Sequence, residues 1–250
     1  MSHKIFSAAV ILAVAATPSF SQSLNGATIS GNVNVFDDDS YDATNSALKA
    51  GAELGLSRDF AISGNLAVYN SDEIDEAGTN VTLHGLYMIS PTTALGVYVA
   101  SDDDGGANYE HFGVEAGFGS PQGRFEFYYG AVDGLSDSSS IDTSIAGISF
   151  EFEVARNFAL MLNSQAVTFS DDFNDSVTLG TTAIGGRYTF DNGPSIYAEI
   201  GQLGATASID GDLFVSENDS NFFAIGAEMT FGRSSGTLMS NRSVFEAIGY

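Results

Sequence analysis

Twelve short segments of the chain alternate apolar and polar residues, and their apolar positions carry no charge. In one of them Phe60, Ile62, Leu66 and Val68 share a parity, whereas charged residues such as Glu53 in the preceding segment occupy the opposite parity. Successive side chains of a strand point to opposite faces. Each segment therefore predicts a strand with one uncharged face and one polar, often ionised face. A closed sheet in a bilayer needs this division, apolar toward lipid and polar toward a lumen.

The connections between these segments alternate between short turns and long loops. The short ones, rich in Pro, Gly, Asn and Asp, cover 58–59, 90–93, 120–123, 156–157 and 191–194, and the long, acidic ones cover 37–46, 71–79, 101–108, 133–140, 170–176 and 208–221. This order is typical of hairpin turns at one end of an up-and-down barrel and external loops at the other. We therefore predict an all-β, closed up-and-down antiparallel transmembrane β-barrel of about 12 strands, with short periplasmic turns and longer acidic external loops. The predicted strands run over roughly 27–36, 47–57, 60–70, 80–89, 94–101, 109–119, 124–132, 141–155, 158–169, 177–190, 195–207 and 222–232.

The chain divides into three predicted parts. Residues 1–21 resemble a secretory signal peptide, with His3 and Lys4 before an apolar run and with small residues at Ser19 and Ser21. That run is shorter than the about 20 residues of a membrane-spanning helix. Residues 22–232 form the predicted barrel, and residues 233–250 a C-terminal periplasmic tail. The end of this tail could form a short amphipathic turn against the periplasmic mouth, plug the pore or serve assembly.

Composition narrows the possible functions. A net charge of −24 argues against nucleic acid as a partner, because phosphates require basic surfaces, and it permits cations. Cysteine is absent, so disulfides and thiolate metal sites are excluded. A secreted soluble β-sandwich would also alternate, but its outer face would carry both signs of charge, and the chain has only 8 Lys and Arg. No fixed internal period points to a propeller or solenoid.

With these features the chain resembles the porin-like outer-membrane β-barrels of Gram-negative bacteria. The likeness is carried by the signal-like start, the opening strand 27–33, the alternation of acidic loops with tight turns, and the strand 222–231 with its last aromatic Phe231. It implies export through the periplasm to the cell outer membrane, contact with outer-membrane lipid and the assembly machinery, and passive passage of small cations or polar solutes without a cofactor. The chain has fewer strands than the larger trimeric porins and lacks a long loop able to fold inward. Its oligomeric state is open.

Glutamates dominate the predicted lumen. Seven of them share the inward parity in the periplasmic half, accompanied by two basic residues: Glu53, Glu115, Glu126, Glu151, Glu153, Glu199 and Glu228, with Arg187 and Lys49. A ring of carboxylates in a pore selects cations, so we predict a cation-preferring channel lined by these residues. Alternatively, arginines toward the same end, among them Arg124 and Arg242, pair with the glutamates in an internal salt-bridge layer.

The acidic loops offer a weaker possibility. Their clustered carboxylates could bind calcium weakly through oxygen ligands, at Asp37, Asp38 and Asp39 and at Asp102, Asp103 and Asp104. None has the ordered spacing of a dedicated calcium loop, so a solvated, self-repelling acidic surface is the favoured interpretation and no metal site is predicted. His84 and His111 share the lumen parity and are interpreted as solvated, and no catalytic motif is found. The chain is therefore predicted not to be an enzyme, and the rival function is a non-conducting structural or adhesive barrel.

Overall fold

The computed structural model describes residues 23–38, 41–72, 74–120, 122–135, 141–171, 175–209, 212–215, 220–232 and 237–249. The predicted signal peptide, residues 1–21, lies outside the described residues. Within them the chain forms thirteen strands and one helical turn: β1 (Ser23–Asp38), β2 (Tyr41–Gly55), β3 (Phe60–Ser71), β4 (Ile74–Ser90), β5 (Thr93–Asp103), β6 (Asn108–Ser120), β7 (Gly123–Asp133), β8 (Ile141–Ala155), β9 (Phe158–Asp171), β10 (Ser176–Thr189), β11 (Ser195–Ile209), β12 (Asp212–Val215), β13 (Ser220–Gly232) and α1 (Val244–Ala247).

All strand pairings are antiparallel, and the sheet closes on itself. Each strand from β1 to β11 pairs with its neighbour in the chain, β11 also pairs with β13, and β13 pairs with β1, with Ala27 opposite Phe231. The short β12 pairs only with β11, through Ile209 and Asp212, and extends that strand as a hairpin. Twelve strands therefore complete the ring. The predicted closed up-and-down barrel of twelve strands is confirmed.

The two faces of the wall differ as the alternation predicts. On β3, Ala61 and Ser63 are buried inside while their neighbours Phe60 and Ile62 lie exposed on the outside. Large apolar side chains remain exposed all around the ring, for example Phe112 at 63%. Such a continuous apolar surface requires hydrocarbon rather than water around it. The alternative of a soluble β-sandwich is wrong, because these side chains do not pack against a second sheet. No helix in the described part of the chain has the length and apolarity needed to cross a membrane.

The tight turns form where their residues permit them. Asn157 adopts a φ of 64°, in the left-handed region, within the two-residue turn between β8 and β9. Asparagine tolerates this conformation better than other residues with a side chain. Gly193 has a φ of 106° in the turn between β10 and β11. These short turns set the register of the neighbouring strands, and with it the face on which each side chain lies.

The residues described after β13 lie inside the barrel. We call residues 237–249 the inner segment. The backbone N–H of Leu238 donates to the Glu53 carboxylate at 3.0 Å near the end of the short turns, and the carbonyl of Gly249 accepts from Asn45 at 2.6 Å in the outer half. The segment thus runs along the lumen, whereas we expected a tail on the periplasmic side with a plug as one alternative. The apolar side chains of the segment explain why it lies in the lumen and not outside it, because they pack against apolar side chains on the inner face of the wall.

Candidate functional site: the lumen and its inner segment

An apolar cluster inside the barrel holds α1. Val244, Phe245 and Ala247 are at most 2% exposed and pack with inward side chains of the surrounding wall, namely Tyr69, Tyr98, Tyr128, Val132, Ile145 and Val167. Gly78 makes room for this packing, because a Cβ atom there would lie 3.0 Å from the Phe245 ring. Full burial of a Val, Phe or Met side chain stabilises by about 1.5–3 kcal/mol. Met239 is fully buried in a second cluster, and these apolar contacts together stabilise the inner segment in the lumen.

Arg242 forms the charged centre of the inner segment. Its guanidinium is 1% exposed and donates from Nη2 to Glu115 at 2.9 Å and to Glu126 at 3.0 Å, and from Nε to Glu115 at 3.1 Å. The same group lies 4.4 Å from the centre of the Tyr128 ring, within reach of a cation–π interaction. Arg124 adds a second cation, pairing with Glu126 at 3.2 Å and donating to the carbonyl of Thr237. Glu115 and Glu126 are therefore compensated by arginine.

Both lumen histidines contact carboxylates that in turn bind the inner segment. His84 Nδ1 lies 2.8 Å from Glu115, on the oxygen that Arg242 leaves free. His111 Nε2 lies 3.1 Å from Asp102, whose carboxylate also accepts from the Ser243 hydroxyl at 2.6 Å and from the Val244 N–H at 2.9 Å. The expectation that these histidines are solvated is wrong. They are 3% and 1% exposed, because the inner segment covers them.

Glu246 bonds to four strands on different sides of the lumen. Its carboxylate pairs with Lys49 of β2 at 2.6 Å, and it accepts from the Tyr69 hydroxyl of β3 at 2.8 Å and from the Gln165 amide of β9 at 3.1 Å. Its carbonyl accepts from the Thr181 hydroxyl of β10 at 3.1 Å. Strands β3 and β9 lie halfway around the ring from each other. One residue thus connects opposite walls.

A polar cavity of about 280 Å³ remains beside the inner segment. It is lined by the inner faces of β1, β8–β11 and β13, with further residues from β2, β3, β7 and the inner segment. The wall formed by β8–β11 and β13 contributes Glu151, Arg187, Tyr197, Glu199 and Glu228, and the opposite side contributes Lys49, Arg124, Glu126, Arg242 and Glu246. Arg187 pairs with Glu151 at 3.0 Å and with Glu228 at 2.5 Å, so that two carboxylates share one guanidinium. Glu199 accepts from the Asn163 amide at 2.5 Å and, among the described residues, has no cation within ion-pair distance. This wall of the cavity carries an excess of negative charge.

The structure divides the predicted lumen residues into three groups. The first group, buried against the inner segment, comprises Glu53, Glu115 and Glu126, of which Glu126 also borders the cavity. The second group lines the cavity and comprises Lys49, Glu151, Arg187, Glu199 and Glu228. Glu153 alone is exposed near the end of the short turns. The alternative of an internal salt-bridge layer thus applies to part of the set.

The described carboxylates of one acidic cluster, Asp102, Asp103 and Asp104, do not converge on a common point. Asp102 is fully buried in the lumen and Asp103 follows it with the opposite parity, because adjacent strand residues face opposite ways. Asp104 accepts from the N–H groups of Gly106 and Ala107 at 2.9 and 2.7 Å, and these bonds lower the pKa of the Asp104 carboxyl. The other proposed loop lies largely outside the described residues: Asp39 falls there, as do the side chains of Asp37 and Asp38. In the part of the chain that the structure describes, no three His, Asp or Glu side chains gather to hold a metal ion.

The inner segment contains one residue that sequence reasoning named as a partner of the glutamates, Arg242, and one that it missed, Glu246. Both lie in a stretch without strand periodicity, so parity assigns them no face. A signal for the placement of the segment was nevertheless present, because many inward carboxylates faced few inward cations and an apolar group, including Met239, Val244 and Phe245, followed the last strand. Buried carboxylates need partners, and the alternative of arginine pairing supplied one in Arg242.

Comparison with known proteins shows a likeness in structure. No protein-family model matches the chain, and no curated protein matches it by sequence. The chain is similar to the solved structure of the KdgM porin in complex with disordered oligogalacturonate, with a TM-score of 0.52 and 10% identity over 82% of this chain and 99% of that one. It is also similar to the NanC porin, with a TM-score of 0.57 and 12% identity over 80% and 98% of the two chains. The chain thus has the fold of a closed twelve-stranded antiparallel β-barrel like that of these porins, as the alternation of its strands predicted.

Proposed function

We propose that the protein is a channel for passive diffusion of small solutes or ions across the outer membrane, with a preference for cations. The observation that supports this most is the polar cavity between the inner segment and the strands β8–β11, β13 and β1. Its lining of carboxylates, amides and hydroxyls suits hydrated solutes. The similar solved structures are porins by name, which agrees with a channel, and the apolar outer belt provides the contact with membrane lipid.

Cation preference follows from the charges that remain along the cavity. Within the described residues Glu199 has an amide partner and no cation within ion-pair distance, and Arg187 compensates only one of the two carboxylates that it contacts. Fixed negative charge in a narrow lumen raises the local concentration of cations and repels anions. The band of seven glutamates thereby reduces to three that act on passing ions, Glu151, Glu199 and Glu228. Glu115 and Glu126 are held by arginines, and Glu53 accepts from Leu238 and Asn25.

A second candidate is a non-conducting barrel with a structural or adhesive role. It is favoured by the inner segment, which fills the side of the lumen formed by β2–β7 and buries the side chains there. Ion passage distinguishes the two candidates, because only the channel requires a continuous water path.

Planar-bilayer recording of the purified protein tests the proposal. In a salt gradient we expect ion current with a reversal potential on the cation side. Replacing Glu199 with Gln removes a cavity charge and should shift the reversal potential toward zero, whereas Glu153→Gln, at the exposed rim, should leave it nearly unchanged. Inserted protein that carries no current, in both the parent and a variant lacking residues 246–250, would refute the channel. Current with anion preference would refute the selectivity.

A further inference from the structure

Residues 246–249 form the end of the inner segment that crosses the lumen, and we call them the strap. We call the preceding residues 239–245, with the buried Met239, Val244 and Phe245, the anchor. Glu246 connects β2, β3, β9 and β10, and Gly249 then reaches the remaining side of the ring. There a Cβ atom on Gly249 would lie 3.1 Å from the Phe36 ring of β1 and 3.2 Å from Leu203 of β11. The strap thus contacts the wall on both sides of the cavity and covers its outer end.

We propose that the strap is a gate: its release from Lys49 opens the cavity to the external side, and its attachment closes it. This inference depends on the proposed channel function. It assigns opening to four residues and leaves the remainder of the inner segment in place.

The contacts of the two parts differ in the way a gate requires. The anchor ends at Phe245 and is held by Arg242, whose pairs with Glu115 and Glu126 involve side chains at most 5% exposed. The Lys49–Glu246 pair is partly hydrated, with side chains 28% and 13% exposed. Water can replace the partners of a hydrated pair at a smaller cost than those of a fully buried one. The strap therefore separates from the wall before the anchor does.

The backbone of the strap favours a local movement. Gly249 has a φ of 96°, which glycine adopts without strain. Ile248 is 37% exposed and adds little apolar contact. The strap is therefore fixed by polar contacts at Glu246, by the small apolar contact of Ala247, and by the hydrogen bond from the Asn45 amide to the Gly249 carbonyl. Loss of the ion pair removes the charged contact of Glu246 and leaves these neutral ones.

Single-channel recording of charge variants tests the gate. Lys49→Met and Glu246→Gln should each raise the open fraction several-fold over the parent, and the reversed pair Lys49→Glu with Glu246→Lys should return it toward the parent value. Glu110→Gln, an exposed change on the outer end of β6, is the matched control and should leave gating unchanged. Resistance of the folded barrel to heat in detergent verifies that each variant retains the fold. Folded variants whose open fraction equals that of the parent would overturn the gate.

A covalent lock provides a second measurement that does not depend on charge. The chain contains no cysteine, so Lys49→Cys with Glu246→Cys can be bridged selectively by a short bis-methanethiosulfonate reagent. Bridging should abolish openings and a reductant should restore them. If the bridged protein conducts like the reduced one, the strap is not the gate. A variant ending at Phe245 separates the two proposals: current from it, without any effect of the lock, overturns the gate alone, and absence of current overturns the channel as well.

Discussion

The sharpest test of the inner segment is the replacement of Arg242 by Met. The change removes the guanidinium that, among the residues the structure describes, alone contacts both Glu115 and Glu126, and it leaves the approximate volume of the side chain in place. The two carboxylates are 0% and 5% exposed in these pairs, and Arg124 remains for Glu126 alone. Removing one partner of a buried ion pair costs about 3–5 kcal/mol, because an uncompensated charge stays behind. We expect the free energy of unfolding to fall by about this amount.

Equilibrium unfolding by guanidinium chloride in detergent micelles, followed by far-ultraviolet circular dichroism, measures this change in the free energy of unfolding. The triple variant Arg242→Met, Glu115→Gln, Glu126→Gln is the matched control, because it removes the stranded charges and should recover most of the loss. A single variant within about 1 kcal/mol of the parent would refute the reasoning, since hydrogen bonds to charged groups alone contribute about 1.5–3 kcal/mol. A triple variant no more stable than the single one would show that the loss comes from packing and not from charge.

Two further outcomes follow from the same contacts. Phe245→Ala should lower the free energy of unfolding by about 3–5 kcal/mol through the cavity that it leaves, whereas Ile248→Ala, at an exposed site, should change it by at most about 0.5 kcal/mol; equal effects of the two in chemical unfolding would contradict the apolar anchor. The turn at Asp104 should loosen in acid: its pKa is lowered in the folded protein, so its contribution is present above the ordinary carboxyl range and is lost as the pH falls through the lowered value. Hydrogen exchange at the Gly106 and Ala107 amides reports this loosening, and Asp104→Asn should remove its dependence on pH; protection that does not change with pH would contradict it.

The wall of the barrel could be predicted from sequence because its information is local. A charge such as Glu53 or Glu126 cannot face hydrocarbon, so each strand has one permitted orientation and a shift by one residue would reverse it. The Asn157 turn and its counterparts then fix which strands are neighbours. Alternation over a few residues was sufficient for the ring and its two faces.

The contents of the lumen could not be predicted in this way. Parity places His84 inward but does not say whether water or protein covers it, and only the inner segment decides that. Arg242 reaches Glu115 and Glu126 across long stretches of chain, and no periodicity in the segment indicates a face. Sequence reasoning therefore left two interpretations of Glu115 and Glu126 open, cation selection and pairing with arginines, because the inward direction of a side chain does not reveal its access to solvent.

The pairing of β1 with β13 has a consequence for how the protein is assembled. This seam joins strands from opposite ends of the described chain, and the inner segment, residues 237–249, is the next described part of the sequence after β13. If β1 and β13 paired first, Arg242 and Phe245 would have to enter the closed barrel through its narrow end. If β1 and β13 are still unpaired, these residues can enter laterally through the gap between the two strands. Insertion of the inner segment and pairing of β1 with β13 thus belong to one late step of folding. Slow pairing of these two strands should delay both the closed barrel and the burial of the inner segment.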